Sequence, residues 1–395
     1  MSTCGDYNLS KTLGAGAQAT VRIARRRSTG NFCAAKLLYS EEEQDRSTQG
    51  SYKKDENEIR SIEETKEEEK DEESKKENPE IMVLSALNHP NIIRLLDYDL
   101  NARYTNRRSQ VSRVTMLIFE YATNGSLLDY IALSGRPLPE DIARSYFHDL
   151  CEALNYLHSN GVSHRDIKLE NILLNKNFEL KLADFGFASG VTGNTTRVGT
   201  ITTAAPEVLM AMPYNGHCAD IFSLGVVLFM MVSGHPPFNC ANPASDPRYK
   251  ALYINQSDFF WKTHFKTDVE NINRFSDSLQ ELIVSMLSFR PSHRPSLSEI
   301  MNSSWYLAPP SPLLDLPTPE PLLPPSLATD SDYKTHLKEL KEGIDRENSR
   351  KEEECPDLPF DQEIVDYQIV KRGCREGCRD RKSRLWWLLR GSVRN

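Results

Sequence analysis

The string His164-Arg165-Asp166-Ile167-Lys168-Leu169-Glu170-Asn171 is followed, thirteen residues after Asn171, by Asp184-Phe185-Gly186. It offers one carboxylate that can take a proton and one ammonium that can hold phosphate. Asn171 and Asp184 add two oxygen-bearing side chains of the kind a hard cation such as Mg2+ prefers. Moving a phosphoryl group from a nucleotide to a hydroxyl needs this set, because that reaction asks for alignment and charge neutralisation rather than covalent chemistry by the protein.

A second group of residues near the start suits the same task. Leu13-Gly14-Ala15-Gly16-Ala17-Gln18-Ala19-Thr20-Val21 places two glycines where a strand turns back on itself, so main-chain N–H groups can approach phosphate oxygens closely. Ala34-Ala35-Lys36 lies on the strand after this hairpin and supplies a cation for the α- and β-phosphates.

The elements that must position these groups are legible in outline. Residues 7–39 alternate apolar and polar positions around turn signals such as Ser28-Thr29-Gly30, which predicts a meander of antiparallel strands. From Ser40 to Asn78 the composition shifts to Glu, Lys, Ser and Gln, with too few large apolar residues to bury, which predicts a disordered or solvated acidic insertion. Strand patterns resume at Ile92–Leu100 and Val114–Tyr121. Ile142, Tyr146, Leu150, Leu154 and Leu157 then recur at helical spacing and run out near Asn160-Gly161, a helix stop. Proline-rich sequence after Trp305 predicts an extended linker over 308–330. The tail, 331–395, begins with a short helix-prone stripe of Tyr333, Leu337, Leu340 and Ile344 and ends in a basic aromatic segment.

Composition narrows the classes. A chain of 395 residues accommodates one large two-lobed domain with an extension. Its net charge of −8 hides an acidic stretch over 41–80 and a Lys/Arg-rich end, so global charge says little about partners. Eight scattered cysteines and the lack of a leading secretory segment fit a reduced, intracellular and cytoplasmic setting rather than a disulfide framework. The longest apolar run, Ile221 to Val232, is shorter than the roughly 20 residues of a membrane span and is interrupted by Ser223 and Gly225.

In order, these motifs resemble the catalytic domain of the eukaryotic protein kinases over about Tyr7 to Trp305, with Ala205-Pro206-Glu207 completing the set. The resemblance implies an α+β, two-lobed fold over 7–307: a small antiparallel sheet lobe with one helix, and a larger, mainly helical lobe. Lys168, two residues after Asp166, resembles the serine/threonine branch. ATP and Mg2+ are implied as cofactors and proteins as substrates, with no nucleic acid. Asp166 would accept the substrate proton, Lys168 would hold the γ-phosphate, and Asn171 and Asp184 would share magnesium. Lys36 needs a carboxylate partner, which spacing back from Asn88-His89-Pro90-Asn91 makes Glu80, on a helix capped by Asn78 with Pro79 in its first turn. Glu77 and Glu58 are the alternatives. Adenine would meet the backbone of Glu120 and Ala122, with Phe119 behind it and Leu13, Val21, Ala34 and Leu173 about the ring; Gly14 and Gly16 would cover the phosphates. Glu207 would pair with Arg294, and Asp220, opening the helix Ile221–Val232, would cap it and brace the catalytic loop.

Regulation and selectivity follow from the same likeness. Arg165 would pair with a phosphorylated loop residue, Thr196 matching that position with Thr195 beside it, while Thr200 resembles the threonine that bonds the catalytic aspartate and lysine. Ile201 and Thr203 depart from the family's usual proline and tyrosine in the peptide-docking segment, and Glu170 without a carboxylate at Ser126 implies at most a weak basic preference. Gly234-His235-Pro236-Pro237-Phe238 and the Arg294 region look closest to the calcium/calmodulin-dependent and AMP-activated kinase group. From Lys371 the tail mixes nine Lys/Arg with Leu385, Trp386, Trp387, Leu388 and Leu389, which suits a calmodulin-type groove or a membrane surface, and Arg379 to Ser383 could occupy the peptide site. Cys374 and Cys378 are too few for zinc. A reading from another class is a pseudokinase-like scaffold binding partners through its insertion and tail, supported by Ala19 at the third loop glycine, the unusual start of the helix carrying Glu80 and the altered docking segment.

Overall fold

Alternating side chains in the first 39 residues build a barrel rather than an open meander. The computed structural model describes residues 2–15, 19–39, 78–134, 136–190, 194–264 and 275–309. The acidic insertion up to residue 77, Gly16, the linker beyond Pro309 and the tail lie outside the described residues. Strands β1 (Ser2–Cys4), β2 (Tyr7–Ala15), β3 (Ala19–Arg26), β4 (Phe32–Leu38), β5 (Leu95–Thr105) and β6 (Val111–Phe119) are ordered β1-β2-β3-β4-β6-β5. Closure comes from β1, which pairs antiparallel with β2 (Cys4 opposite Tyr7) and with β5 (Cys4 opposite Tyr104). Cys4, Tyr7, Leu9, Ala24, Leu37, Met116 and Ile118 fill the interior.

Two boundaries of the sequence reading move. A strand at Ser2–Cys4 precedes the Tyr7 start read from the sequence, because three residues carry too little periodicity to announce a strand. The strands expected at Ile92–Leu100 and Val114–Tyr121 lie at Leu95–Thr105 and Val111–Phe119, with Ile92 forming only a bridge to Leu182.

Helix α1 (Pro79–Ala86) starts as the sequence predicts: the Asn78 side chain accepts the Glu80 main-chain N–H at 2.9 Å, and Pro79 occupies the first turn, where its missing N–H costs nothing. In the larger lobe, α2 (Leu127–Ser134) and α3 (Glu140–Ser159) precede the catalytic string. The apolar stripe of α3 ends at Asn160, and Gly161 takes a positive φ of 70°.

After α4 (Pro206–Leu209) comes α5, the central helix of this lobe. It spans Gly216–Ser233, is capped by Asn215 and ends on left-handed Gly234. Asp220 therefore sits inside the helix and does not cap it; the preceding turn, polar and headed by glycine, is invisible to hydrophobic periodicity. By length and composition α5 could cross a membrane, but 78% of its apolar window is buried inside the protein, as expected of a core helix. It packs on α6 (Asp277–Met286).

Glu207 and Arg294 lock the far side of this lobe. The guanidinium meets the carboxylate in a two-pronged pair at 2.6 and 2.7 Å and lies 4.9 Å from the Phe222 ring centre.

Candidate active site

Three sequence-distant side chains, Lys36, Glu80 and Asp184, meet between the lobes. Lys36, on β4, places Nζ 2.8 Å from both carboxylate oxygens of Glu80 and 2.9 Å from Asp184 Oδ1. The helix cap at Asn78 makes this reach possible, since it fixes Glu80 in the first turn of α1. Glu80, rather than the alternatives at 77 and 58 outside the described residues, holds the lysine.

Burial and charge compete in this cluster. Burial pushes the Lys36 ammonium down, but Asp184 and Glu80 outweigh it and leave the pKa above its ordinary value. Burial pushes the Glu80 carboxyl up, and Lys36 offsets this only in part. Burial also pushes Asp184 up, but Lys36 reverses the sign and holds it below the usual carboxylate range. Ionised Asp184 beside a charged lysine is the state that phosphate and a divalent cation require.

Ordered by residues with unusual backbone angles, the catalytic string forms a second network. Arg165 and Asp184 both have positive φ, 66° and 64°. Asp220 enforces the first: its buried carboxylate accepts the N–H groups of His164 at 2.9 Å and Arg165 at 2.7 Å, and a nitrogen of His158 lies 2.9 Å away. Asp166 is 2% exposed. Its Oδ2 accepts Lys168 Nζ at 2.7 Å and the Asn171 amide at 3.0 Å, while Oδ1 accepts the Thr200 hydroxyl at 2.9 Å. Lys168 also donates to Thr200 at 2.9 Å. Phe185 is buried edge-on against His164, fixing the segment that carries Asp184.

Gly199 admits the chain between these groups. Its φ is +84°, and a Cβ there would lie 2.6 Å from the Arg165 carbonyl oxygen.

The residues expected around adenine come from both lobes: Leu13, Val21, Ala34 and Phe119 from the barrel sheet, and Leu173 from the larger lobe. Ala34 pairs with Phe119 across β4 and β6, and Phe119 is 8% exposed. Leu13 is exposed, Val21 and Ala34 are half-buried, and Leu173 packs against the core from β7 (Ile172–Leu174). The Glu120 N–H is spent on the Arg94 carbonyl at 3.0 Å, and its side chain accepts from Arg94 N–H and meets Lys181 at 3.3 Å. Among the described residues the Glu120 carbonyl and Ala122 N–H make no hydrogen bond, so they remain for a base edge. Gly14 lies on β2, and Gly16 is outside the described residues.

Arg165 reaches toward the loop after Asp184. Its guanidinium donates to Asn194 Oδ1 at 2.8 Å, the Phe187 carbonyl at 2.7 Å, the Tyr214 hydroxyl at 3.3 Å and the Thr196 hydroxyl at 3.5 Å. Thr195, beside it, is exposed. Sequence reasoning missed Asn194, Tyr214 and His158. They act through tertiary contacts that no local spacing signals, though an asparagine two residues before the predicted phospho-acceptor was a hint.

The donors around Asp166 and Asp184 suit a magnesium ion. Asn171 uses its amide N–H groups on Asp166, which turns its carbonyl oxygen toward other uses, and Asp184 keeps a second oxygen beyond Lys36. Two such oxygens fit Mg2+ when phosphate oxygens and water complete the shell. Among the described residues no group of three or more His, Cys, Asp or Glu is suited to a metal by itself.

Comparison with known proteins agrees with this geometry. A family model described as protein kinase domain matches residues 48–306. That match starts after Lys36, so the lysine's place rests on its contacts with Glu80 and Asp184. CBL-interacting protein kinase 11 of Oryza sativa subsp. japonica is 32% identical over 313 residues, 77% of this chain and 52% of the relative. CBL-interacting serine/threonine-protein kinase 8 of Arabidopsis thaliana is 33% identical over 310 residues, 77% of this chain and 58% of the relative. The chain thus spans a little over half the length of these relatives. With the family match covering more than half of its residues, the chain belongs to the protein kinase domain family.

Proposed function

We propose that this chain is a Mg·ATP-dependent serine/threonine protein kinase of the calcium/calmodulin-dependent and AMP-activated type, transferring the γ-phosphoryl group to protein hydroxyls. The observation that carries the reading is the three-way contact of Lys36 with Glu80 and Asp184, next to an Asp166 already bonded to Lys168, Asn171 and Thr200.

Lys36, held by Glu80, aligns the α- and β-phosphates. Asn171 and Asp184 would hold Mg2+, which would supply charge neutralisation for the transferring group. Asp166 takes the proton from the substrate hydroxyl, and Lys168 stays close enough to both Asp166 and Thr200 to offset negative charge on the transferring group. The Glu120 carbonyl and Ala122 N–H receive the adenine edge, with Leu13, Val21, Ala34 and Leu173 excluding water around it. Thr196, 3.5 Å from Arg165, is the proposed phosphorylation point: a phosphate there adds about −1.5 to −2 charges opposite a guanidinium.

The experiment is transfer from labelled Mg·ATP to mixed peptides bearing Ser, Thr or Tyr, with Asp166→Asn as the paired variant. Label on Ser and Thr peptides, lost in the variant, is the expected outcome. Label confined to tyrosine, or equal label in the variant, contradicts the proposal.

A further inference from the structure

The barrel of the small lobe is open and basic at one end. A groove of about 540 Å³ there is lined by Lys11, Arg22, Arg107 and Arg108 with Tyr39 and Tyr104, and among the described residues no carboxylate lines it. Closure of the barrel by β1 creates the site, since Ser2 forms part of its wall.

Arg22 is the unusual member. On β3 it shares a strand face with Ala24, which belongs to the barrel core, so its side chain enters the barrel end and is 8% exposed. Its Nε and Nη2 donate to the Ser10 carbonyl at 3.2 and 2.6 Å, and Nη1 to the Tyr104 hydroxyl at 3.4 Å. Both acceptors are neutral. A guanidinium has five N–H donors, and these bonds use three. The other two arginines buried to this degree each sit on carboxylates: Arg144 on Glu140 and Asp141, and Arg294 on Glu207. Among the described residues Arg22 alone of the three has no counter-charge, an arrangement that is costly unless an anion completes it.

We propose that this groove is a docking site for the carboxylates of an acidic peptide segment, and that its occupant is Glu41-Glu42-Glu43-Gln44-Asp45 of this same chain. Tyr39 lines the groove and is the last described residue before that segment. Two residues of extended chain reach up to about 7 Å, which brings Glu41 within range of the groove. Four carboxylates in five residues meet four cations in the groove, and the run 41–77 as a whole carries sixteen Asp/Glu against eight Lys/Arg. The rim is prebuilt: Asn106 Oδ1 accepts the N–H groups of Arg108 at 2.8 Å and Gln110 at 3.1 Å, which fixes the turn bearing Arg107 and Arg108. Docking there ties the start of the insertion to β2 and β3, the two strands that flank the glycine-rich turn.

The test is zero-length carbodiimide coupling on the intact chain, read by mass spectrometry of peptides. The reagent joins an ammonium to a touching carboxylate as an amide, taking up the water that is lost. The expected product is an amide from Lys11 to one of Glu41, Glu42, Glu43 or Asp45. Its yield should fall at least about fivefold in the R107E/R108E chain, the size of the loss expected from removing exposed ion pairs. Both arginines are exposed, so this double variant spares the core. Absence of that amide while other Lys–carboxylate pairs couple, or a yield unchanged in R107E/R108E, overturns the proposal. Mixing isotopically light and heavy chains provides a last arm: amides that join the two labels assign the occupant to a second copy and overturn the intramolecular assignment.

Discussion

The buried carboxylate of Asp220 accepts the main-chain N–H of Arg165 at 2.7 Å, and in doing so holds Arg165 at a φ of +66°. A residue fifty-five positions away on a core helix thereby sets the backbone of the catalytic string. Replacing Asp220 with Ala orphans the buried N–H groups of His164 and Arg165, each worth about 1–3 kcal/mol. Thermal unfolding should shift down, and kcat should fall more than the affinity for nucleotide changes, because Lys36 and Asp184 are untouched. Unchanged stability and kcat would show that the loop holds its shape without this brace.

Thr200 makes a second, finer prediction. Its hydroxyl donates to Asp166 and accepts from Lys168, both at 2.9 Å. Thr200→Val keeps the shape and removes both bonds. Hydrogen bonds to charged groups contribute about 1.5–3 kcal/mol, so kcat should fall roughly 10- to 100-fold. KM for ATP should stay near the parent value, as steady-state kinetics at varied ATP will show.

The carboxylates about Lys36 titrate in a fixed order. Burial raises Glu80 above its ordinary value, whereas Lys36 overcomes burial at Asp184 and holds it below. As pH falls, Glu80 takes a proton first and releases the lysine. Nucleotide affinity should therefore weaken on the acid side before Asp184 titrates, and Glu80→Gln should start weak and lose that acid limb. For stability the signs are opposite. The Asp184 contribution is present above the unfolded carboxylate pKa, about 3.9, and is lost as pH falls through its lower folded value. Glu80 disfavours the folded state as pH rises through the range above about 4.3, where the unfolded chain ionises and the buried carboxyl resists. Fluorescence titration of a nucleotide analogue across pH checks the order, and an acid limb unchanged in Glu80→Gln contradicts it.

The Glu207–Arg294 pair is buried on both sides and bidentate. Removing one partner, as in Glu207→Ala, leaves a buried charge and should destabilise the fold by about 3–5 kcal/mol. Denaturant unfolding measures it, and a loss below about 1 kcal/mol, typical of an exposed pair, would contradict this role.

What the sequence made legible were the residues whose chemistry is local. Asp166, Lys168, Asn171 and Asp184 stand close enough in the chain for their types and spacing to speak, and Asn78-Pro79 announces a helix start through cap chemistry. What it hid depends on distance or on weak periodicity. Ser2–Cys4 is too short to show alternation, yet it closes the barrel by pairing with two strands. The first turn of α5 is polar, so the apolar run Ile221–Val232 suggested a helix starting too late and turned an internal Asp220 into a cap. Asn194, Tyr214 and His158 reach Arg165 and Asp220 only once the larger lobe has packed.

The most direct measurement is phosphate transfer from Mg·ATP to a Ser/Thr substrate by the intact chain, compared with Asp184→Ala and, in parallel, with nucleotide binding by both. The account predicts transfer by the parent, and loss of transfer in Asp184→Ala with the fold intact. An intact, folded chain that transfers nothing, even when phosphorylated on Thr196, would contradict it and leave a partner-binding scaffold in its place.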